Sequence, residues 1–207
     1  MCSHSTAYLM KYLIGIDEVG RGPLAGPVTV CAFMALSRHW RAVFRGIRNS
    51  KALSPKRREE WFQTARAARR KRMVDFSVAS VSAAVVDKIG IAAAVKRAIT
   101  RALSRLPAKP AACRVLLDGG ISAPAGFKDQ KTIIRGDEKE PIIALASVVA
   151  KVRRDRRMVR LAAEFPGYGF EIHRGYGTRR HYEAIARYGL CGIHRSSFLK
   201  GFKKTQR

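Results

Sequence analysis

Residues 12–28 read YLIGIDEVGRGPLAGPV, and this stretch predicts the first two strands of the fold. Its first five residues form a short apolar run that is followed by two acids, Asp17 and Glu18, which is typical of a buried strand. The glycine- and proline-rich segment Gly20–Pro27 predicts a turn. The apolar segment Val28–Leu36 predicts a second strand. The stretch therefore predicts a strand–turn–strand unit with acidic side chains near the end of its first strand.

Beyond this unit the sequence predicts further strands, alternating with helices. Ser54-Pro55 is a helix start, because a capping serine precedes proline at the first helical position. We predict helices over Lys56–Arg72, over Ser82–Leu106 with an interruption at Gly90, over Pro141–Ala163 and from the capping Thr178 to Tyr188, and strands over Met73–Val81, Val115–Leu117 and Lys131–Arg135. Early strands followed by alternating strands and helices predict an α/β fold with a mixed sheet flanked by helices.

Charge is the strongest compositional signal. The chain has 207 residues, of which 47% are hydrophobic, so a sizeable core can form. Its 41 lysines and arginines against 15 acids give a formal net charge of +26. Such an excess destabilises a fold through self-repulsion and indicates a polyanionic partner. A ribosomal or packaging protein, or a genome that favours arginine, would account for the charge equally well.

Other compositional features exclude several classes of protein. No apolar run approaches the roughly 18–20 residues that span a bilayer, and Met1–Met10 lacks the features of a secretory signal. The cysteines Cys2, Cys31, Cys113 and Cys191 and the histidines His4, His39, His173, His181 and His194 show no zinc or disulfide spacing. We expect a soluble, cytoplasmic monomer without membrane contact, in which Asp87, Asp129 and Glu171 are solvated and Asp155 pairs with a nearby arginine.

The scarce acids lie where predicted strands end, and each is close to a glycine. They are Asp17 and Glu18 after the first strand, Asp118 after the fourth and Asp137 after the fifth. Taken singly, an Asp-Gly after a strand is usually a turn and an Asp-Glu pair is usually solvated surface. Gathered in one cleft, however, such carboxylates would repel each other and any phosphate unless divalent cations lay between them.

This combination of charges favours a nuclease over a plain nucleic-acid binder. Phosphodiester hydrolysis can use two Mg²⁺ or Mn²⁺ ions roughly 3.5–4 Å apart, which activate water and stabilise the leaving oxygen. An acidic centre would hold the metals while the basic surface holds the nucleic acid.

The segment Gly15–Val28 resembles the amino-terminal signature of the ribonuclease HII family. Other blocks resemble the family in the right order: Asn49–Ser54, Leu117–Gly119, Arg135–Asp137, Ala146-Ser147, Ala150–Val152, Arg154-Asp155, Gly175–Thr178 and His194–Phe198. The resemblance extends from about Tyr12 to Phe198. It implies an RNase H-like fold, a five-stranded mixed sheet with helices on both faces and a helical C-terminal extension. We accordingly expect a catalytic core over residues 1–165 and a packed C-terminal segment over 166–207.

The resemblance also implies the site. Asp17, Glu18, Asp118 and Asp137 match the family's catalytic carboxylates, which bind Mg²⁺ or Mn²⁺. Gly20, Arg21 and Gly22 resemble the turn that reads the RNA-to-DNA junction, and glycines there let the backbone approach a ribose 2′-hydroxyl. Tyr176 matches the tyrosine that stacks on the following deoxyribose. Ser50 and Lys51 are expected to contact backbone phosphate.

The implied activity is endonucleolytic hydrolysis on the 5′ side of a ribonucleotide, in RNA/DNA hybrids and at single ribonucleotides in duplex DNA. The ends would be 5′-phosphate and 3′-hydroxyl, and the role would be ribonucleotide removal from the genome. A contact with a replication clamp through the tail Lys200–Lys204 is a further expectation. An inactive binding relative, or another nuclease or strand-transfer enzyme with an RNase H-like fold, remains open. The sequence departs from the commonest family residues at Asn49, Gly120, Arg135, Glu138 and Leu145.

Overall fold

The computed structural model describes residues 12–47 and 49–201. The strands are β1 (Tyr12–Val19), β2 (Val28–Ala35), β3 (Val74–Val81), β4 (Cys113–Asp118) and β5 (Asp129–Ile133). The helices are α1 (Trp40–Val43), α2 (Pro55–Arg70), α3 (Ala83–Ile89), α4 (Ile91–Leu103), α5 (Gly136–Lys139), α6 (Pro141–Glu164), α7 (Phe170–His173) and α8 (Arg179–Tyr188). Short 3-10 turns cover Pro110–Ala112 and Ser196–Phe198.

The five strands form one mixed sheet in the order β3-β2-β1-β4-β5. β1, β2 and β3 pair antiparallel, whereas β4 pairs parallel to β1 and β5 parallel to β4. β1 therefore lies at the centre of the sheet, and its carboxyl end points the same way as those of β4 and β5. The predicted mixed sheet with flanking helices is confirmed.

The sheet has a hydrophobic core on each face, because alternate residues of a strand point to opposite sides. Along β2, Val28, Val30, Ala32 and Met34 pack with α4 on one face. Cys31, Phe33 and Ala35 pack with α2 and α6 on the other. β2 is buried along its whole length as a result.

Helix α6 lies unusually close to β1. A Cβ at Gly15 would stand 2.3 Å from the carbonyl oxygen of Ile142, so only glycine permits this approach. The contact places the buried N-terminal half of α6, including Ser147, against the strand that carries Asp17. A glycine in β1 thus fixes which helix lies behind the acidic end of that strand.

The chain after α6 packs on the turn between β1 and β2. Leu24 N donates to Gly175 O at 2.8 Å, and Gly26 N donates to Ile193 O at 2.8 Å. Arg195 N donates to Leu24 O at 2.7 Å. The turn is therefore held by segments that lie about 150 residues or more further along the chain. The predicted boundary at residue 165 stays a prediction.

Several local expectations need correction. β5 runs from Asp129 to Ile133 rather than from Lys131 to Arg135, because Arg135 adopts a left-handed conformation with φ of 55° that ends extended structure. The break at Gly90 is confirmed, and it separates α3 from α4. The four-residue helices α1, α5 and α7 were not predicted, since one helical turn is too short to show a periodic pattern.

Some expectations fall on residues outside 12–47 and 49–201, namely the N-terminal segment with Cys2 and His4 and the tail beyond Gly201. Cys31, Cys113 and Cys191 are free thiols. In the part of the chain that the structure describes, no helix has the length and apolar character needed to cross a membrane.

Candidate active site

Strand register brings two of the acids together. β1 and β4 are parallel neighbours, and Ile16 is paired with Leu117. The next residue on each strand is an acid, so Asp17 and Asp118 lie side by side at the same edge of the sheet. Asp137 arrives from α5, the short helix that follows β5.

Three of the four predicted carboxylates form a compact group. Asp17, Asp118 and Asp137 each offer an oxygen, and these oxygens all lie within 4.8 Å of one another. Glu18 is not a member of this group. One of its oxygens accepts from Arg21 Nη1 at 3.1 Å, while Glu18 Oε2 is buried without a hydrogen-bond partner.

The electrostatics of the group are unfavourable without a cation. Burial, followed by repulsion from Glu18 and Asp118, raises the pKa of Asp17 to about 8. Burial and then Asp118 raise the pKa of Asp137. Burial also raises the pKa of Glu18, despite the opposing effect of Arg21. Protein groups therefore compensate the negative charge of these acids only in part, through Arg21 and Lys51.

Hydrogen bonds orient two of the carboxylates. Asp118 Oδ1 accepts from the backbone N–H of Gly136 at 2.6 Å, which ties the end of β4 to the start of α5. Asp17 Oδ1 accepts from the backbone N–H of Glu18 at 2.7 Å. The side chain of Ser147, on α6, lowers the pKa of Asp17 against the larger effect of burial. Ser147 also exchanges a 2.8 Å hydrogen bond with the hydroxyl of Ser50. The acids are consequently held in place by several separate elements.

These features fit divalent cations. The donor set consists of carboxylate oxygens, which Mg²⁺ and Mn²⁺ prefer. The unpartnered Glu18 Oε2 and the raised pKa of Asp17 both indicate that the positive charge of the protein does not neutralise these acids. An oxygen-rich group with unmet negative charge is what a hard divalent ion requires.

A cleft of about 320 Å³ opens over these acids. It is lined by Asp17, Glu18, Val19, Gly20, Arg21, Gly22, Ser50, Lys51, Arg58, Asp118, Ser147, Lys151 and Tyr176. All six residues predicted to bind substrate are among them. Asp137 belongs to the carboxylate group but does not line this cleft.

The six residues differ in what they present to the cleft. Arg21, Gly22, Lys51 and Tyr176 are exposed, and Tyr176 has 41% of its surface accessible. Ser50 is buried, with its hydroxyl turned toward Ser147. Its environment therefore suits support of Asp17 through Ser147 better than direct contact with phosphate.

Four of the five departures from the commonest family residues have local explanations. Asn49 Oδ1 accepts from Ala52 N at 2.8 Å, a turn contact that an amide makes as well as a carboxylate. Arg135 and Glu138 form an ion pair with each other at 2.6 Å. Leu145 lies in the core on the α6 side of the sheet. Nothing in the structure explains Gly120.

Two buried arginines near the cleft were not predicted. Arg154 and Arg195 are 1% and 0% exposed, and backbone carbonyls accept from both. Both stand in the family-like blocks, but among 41 basic residues nothing in the sequence marks them as buried. Asp155 pairs with Lys151 at 3.0 Å, so the expected helix ion pair forms with a lysine rather than an arginine.

Three of the histidines also form a cluster that sequence reasoning missed. His173 stacks on His181 with ring centroids 4.4 Å apart, and His181 Nε2 lies 3.0 Å from His194 Nε2. His181 Nδ1 is 2.9 Å from the carbonyl oxygen of Tyr176. Burial lowers the pKa of all three imidazoles, to about 4 for His181. The cluster is a buried support for the Tyr176 loop, and burial favours the uncharged form of its imidazoles.

Comparisons with known proteins agree on one family. A family model described as Ribonuclease HII matches residues 14–201. The chain is 46% identical to a ribonuclease HII of Chlorobaculum parvum, with 91% of this chain and 90% of that one covered. It is 43% identical to a ribonuclease HII of Caldicellulosiruptor bescii, with 92% and 87% covered.

Solved structures agree at the level of the fold. The ribonuclease HII in a complex with PCNA from Archaeoglobus fulgidus superimposes with a TM-score of 0.75 at 24% identity, covering 94% of this chain and 97% of that one. The fold, the matched family model and the close relatives lead to a single assignment. The chain belongs to the ribonuclease HII family of endoribonucleases, which hydrolyse RNA within RNA/DNA hybrids.

Proposed function

We propose that this protein cuts on the 5′ side of single ribonucleotides embedded in duplex DNA, as well as within hybrids, with the help of two divalent ions. The products are a 5′-phosphate and a 3′-hydroxyl end. The carrying observation is the group formed by Asp17, Asp118 and Asp137, whose oxygens lie within 4.8 Å of one another. Asp17 and Asp118 share a cleft with the turn Gly20–Gly22 and with Tyr176.

Asp17, Asp118 and Asp137 would hold the ions, and Glu18, whose Oε2 is buried without a hydrogen-bond partner, would join them. When bound, Mg²⁺ or Mn²⁺ would supply a water nucleophile of lowered pKa and stabilise charge on the leaving oxygen. The backbone amides of Glu18 and Gly136 keep the carboxylates of Asp17 and Asp118 oriented. The arrangement supports phosphodiester hydrolysis without a histidine or a nucleophilic side chain.

Other residues that line the cleft support recognition of the ribose-to-deoxyribose junction. Arg21 and Gly22 are exposed there, so their backbone can approach a sugar. Tyr176 offers an exposed ring face for the deoxyribose that follows. Lys51 is exposed beside the acids and is suited to a backbone phosphate.

Positive charge extends from the cleft along the surface. A groove of about 530 Å³ between α2 and α6 is lined by Arg58, Arg153, Arg156, Arg160 and Arg174, together with Glu59 and Asp155. Arg58 also lines the catalytic cleft. Within a chain of net charge +26, this groove supports binding of duplex phosphates away from the cut.

We extend the proposal to the cellular role: a monomer that removes ribonucleotides from DNA in the cytoplasm. The Archaeoglobus fulgidus relative was solved with PCNA, which supports a clamp contact here too. The tail proposed for that contact, Lys200–Lys204, lies mostly beyond the described residues.

The test is digestion of a DNA duplex that contains one ribonucleotide, with Mg²⁺ or with Mn²⁺, mapped at nucleotide resolution. We expect a single cut on the 5′ side of the ribonucleotide, while an all-DNA duplex of the same sequence stays intact. Binding without cutting would favour an inactive nucleic-acid-binding relative. Cutting of long hybrid alone would limit the activity to hybrids.

A further inference from the structure

Arg195 is a buried cation whose partners belong to the substrate turn. It is fully buried, and its guanidinium donates four hydrogen bonds to backbone carbonyls. Nη2 donates to Gly20 O at 2.6 Å and Nη1 to Arg21 O at 2.8 Å. Nε and Nη2 donate to Gly26 O at 3.1 and 2.9 Å. One side chain thus joins both ends of the turn.

These bonds set the direction of two amide groups. In a planar trans peptide the C=O and the following N–H point in opposite directions. The carbonyl of Gly20 shares its peptide plane with the N–H of Arg21, and the carbonyl of Arg21 shares its plane with the N–H of Gly22. Because both carbonyls face Arg195 in the interior, both N–H groups face away from it.

The two amides have no competing acceptor. Among the residues that the structure describes, no hydrogen bond from Arg21 N or Gly22 N is recorded, and both residues are exposed where they line the cleft. A carbonyl that accepts from a cation also polarises its peptide, which makes the attached N–H a stronger donor. The turn therefore presents a pair of strengthened donors to the cleft.

We propose that Arg195 is a positioning residue for ribose recognition: it aims the Arg21 and Gly22 amides at the 2′-hydroxyl oxygen of the ribonucleotide. The inference rests on the proposed function, because it assumes that the turn reads this sugar. The 2′-hydroxyl is favoured as the occupant because it alone distinguishes RNA from DNA at the cut. A phosphate oxygen would be held equally in both kinds of duplex.

Asp87 holds the two residues that follow Arg195. Its carboxylate accepts from Ser196 N at 2.7 Å and from Ser197 N at 3.1 Å, and it also bonds to the Ser197 hydroxyl. Those contacts anchor the residues that follow Arg195, so Asp87 is not the solvated acid that the sequence suggested. Since Asp87 lies outside the catalytic cleft, it provides a milder way to loosen Arg195.

The experiment compares the wild type with Arg195→Lys, in Mg²⁺, using two duplexes of one sequence. Lysine keeps the charge but lacks the planar fork that spans several carbonyls. The kcat/KM is measured on the duplex with one ribonucleotide, and the Ki is measured for the all-DNA duplex as a competitive inhibitor. We expect kcat/KM to fall by about tenfold or more while Ki changes by less than about twofold.

The matched control is Arg105→Lys. Arg105 also donates to a backbone carbonyl, Val78 O at 3.1 Å, but it is not among the residues that line the cleft. Both constants should stay within about twofold of the wild type in this variant. Hydrogen exchange of the Arg21 and Gly22 amides gives a readout independent of activity, and it should change only in Arg195→Lys.

If Arg195→Lys does not fold, Asp87→Asn takes its place, with a smaller loss of kcat/KM and again an unchanged Ki. An unchanged kcat/KM, or a Ki that rises by the same factor as kcat/KM falls, would overturn the positioning role. Failure of the proposed function is visible separately, in a wild type that leaves the one-ribonucleotide duplex uncut. That result would remove the sugar to be recognised and would overturn the inference as well.

Discussion

Two groups of charged side chains near the cleft have opposite charges and different partners. In the acidic group, Asp17, Asp118 and Asp137 lie together, and burial raises the pKa of Asp17 to about 8. In the arginine pair, Arg154 and Arg195 are fully buried, and each donates to several backbone carbonyls. Among the residues that the structure describes, Asp17 and Asp118 accept hydrogen bonds from backbone amides, but none of the three acids forms a salt bridge.

This difference indicates what each group does. A buried charge is costly unless it is paired and hydrogen-bonded. The acids have no salt-bridge partner, which makes the acidic group a candidate metal site. The arginines are satisfied by the protein, and their hydrogen bonds hold the backbone of the turn between β1 and β2.

The largest expected effect is the loss of cleavage after a substitution in the acidic group. Asp17→Asn should reduce cleavage by about 1,000-fold or more, because a central ligand oxygen loses its charge. Binding of hybrid should stay largely intact, since the basic surface supplies the phosphate contacts. Cleavage rates test the expected loss of activity, and the affinity for hybrid tests the expected retention of binding. If Asp17→Asn kept most of its activity, Asp17 would not be an essential metal ligand.

Thermal unfolding provides the control for that variant. Mn²⁺ should raise the Tm of the wild type, because an ion that binds only the folded chain stabilises it. The increase should be much smaller in Asp17→Asn. Equal increases in both proteins would place the bound ion somewhere else.

The next effect concerns the stability of the turn between β1 and β2. Gly20 has a φ of +90°, and a Cβ there would lie 2.3 Å from Arg154 Nε and 2.8 Å from Pro27 O. Gly20→Ala should therefore lower the free energy of unfolding by roughly 2–4 kcal/mol, from strain and overpacking combined. Denaturant titration measures the loss.

Gly22→Ala is the matched control, because a Cβ at Gly22 would meet nothing within 4 Å. Its free energy of unfolding should be close to that of the wild type. Any loss of activity in Gly22→Ala would then come from contact with the substrate. Equal destabilisation by both substitutions would contradict the role given to Arg154 in packing against Gly20.

Acid should weaken the contribution of the buried histidine cluster to stability. Burial, then the neighbouring His173 and His194, lowers the pKa of His181 from 6.5 to about 4. Between these values the unfolded chain binds a proton that the folded chain does not. The stabilisation is therefore complete above pH 6.5 and is lost as the pH falls toward 4, by about 3 kcal/mol for His181.

Denaturant titrations at several pH values measure this slope. The raised pKa of Asp17 changes stability in the opposite direction over this range, so the test is the difference in slope between the wild type and His181→Gln. We expect the two slopes to differ, whereas His39→Gln, at an exposed histidine, should keep the slope of the wild type. Equal slopes in the wild type and in His181→Gln would show that His181 is not held neutral by the fold.

The smallest expected effect is on sugar preference. Tyr176→Ala should reduce cutting at a lone ribonucleotide by about tenfold, or about 1.4 kcal/mol, and cutting of long hybrid by less. The reason is that the ring face favours deoxyribose after the cut, which long hybrid does not offer. Tyr176→Phe keeps the ring and should retain most of the preference. Equal losses on both substrates would argue against stacking.

Much of the fold was predictable because its signals are local. The strand–turn–strand unit, the helix start at Ser54 and the break at Gly90 depend on residue types within a few positions of each other. The bounds of β5 were wrong, and α1, α5 and α7 were missed. Their positions depend on backbone dihedral angles and packing that a short segment does not reveal.

The site was predictable only as a set of acids at strand ends. The register of β1 against β4 places Asp17 beside Asp118, and the start of α5 adds Asp137. Glu18 turned out to face Arg21 rather than to join the compact group. Pairing between strands decides such distances, because the partners lie about 100 residues apart in the chain.

The sequence by itself determined the mixed α/β architecture, the excess of positive charge and the identity of the scarce acids, because these follow from composition and short-range pattern. The tertiary structure was needed to show which charged side chains have hydrogen-bond partners inside the protein. Arg195 looks like any other of the 41 basic residues until its chain segment packs on the turn and buries it among carbonyls. Burial and hydrogen bonding depend on contacts between distant segments, and these contacts separate a structural arginine from a surface one.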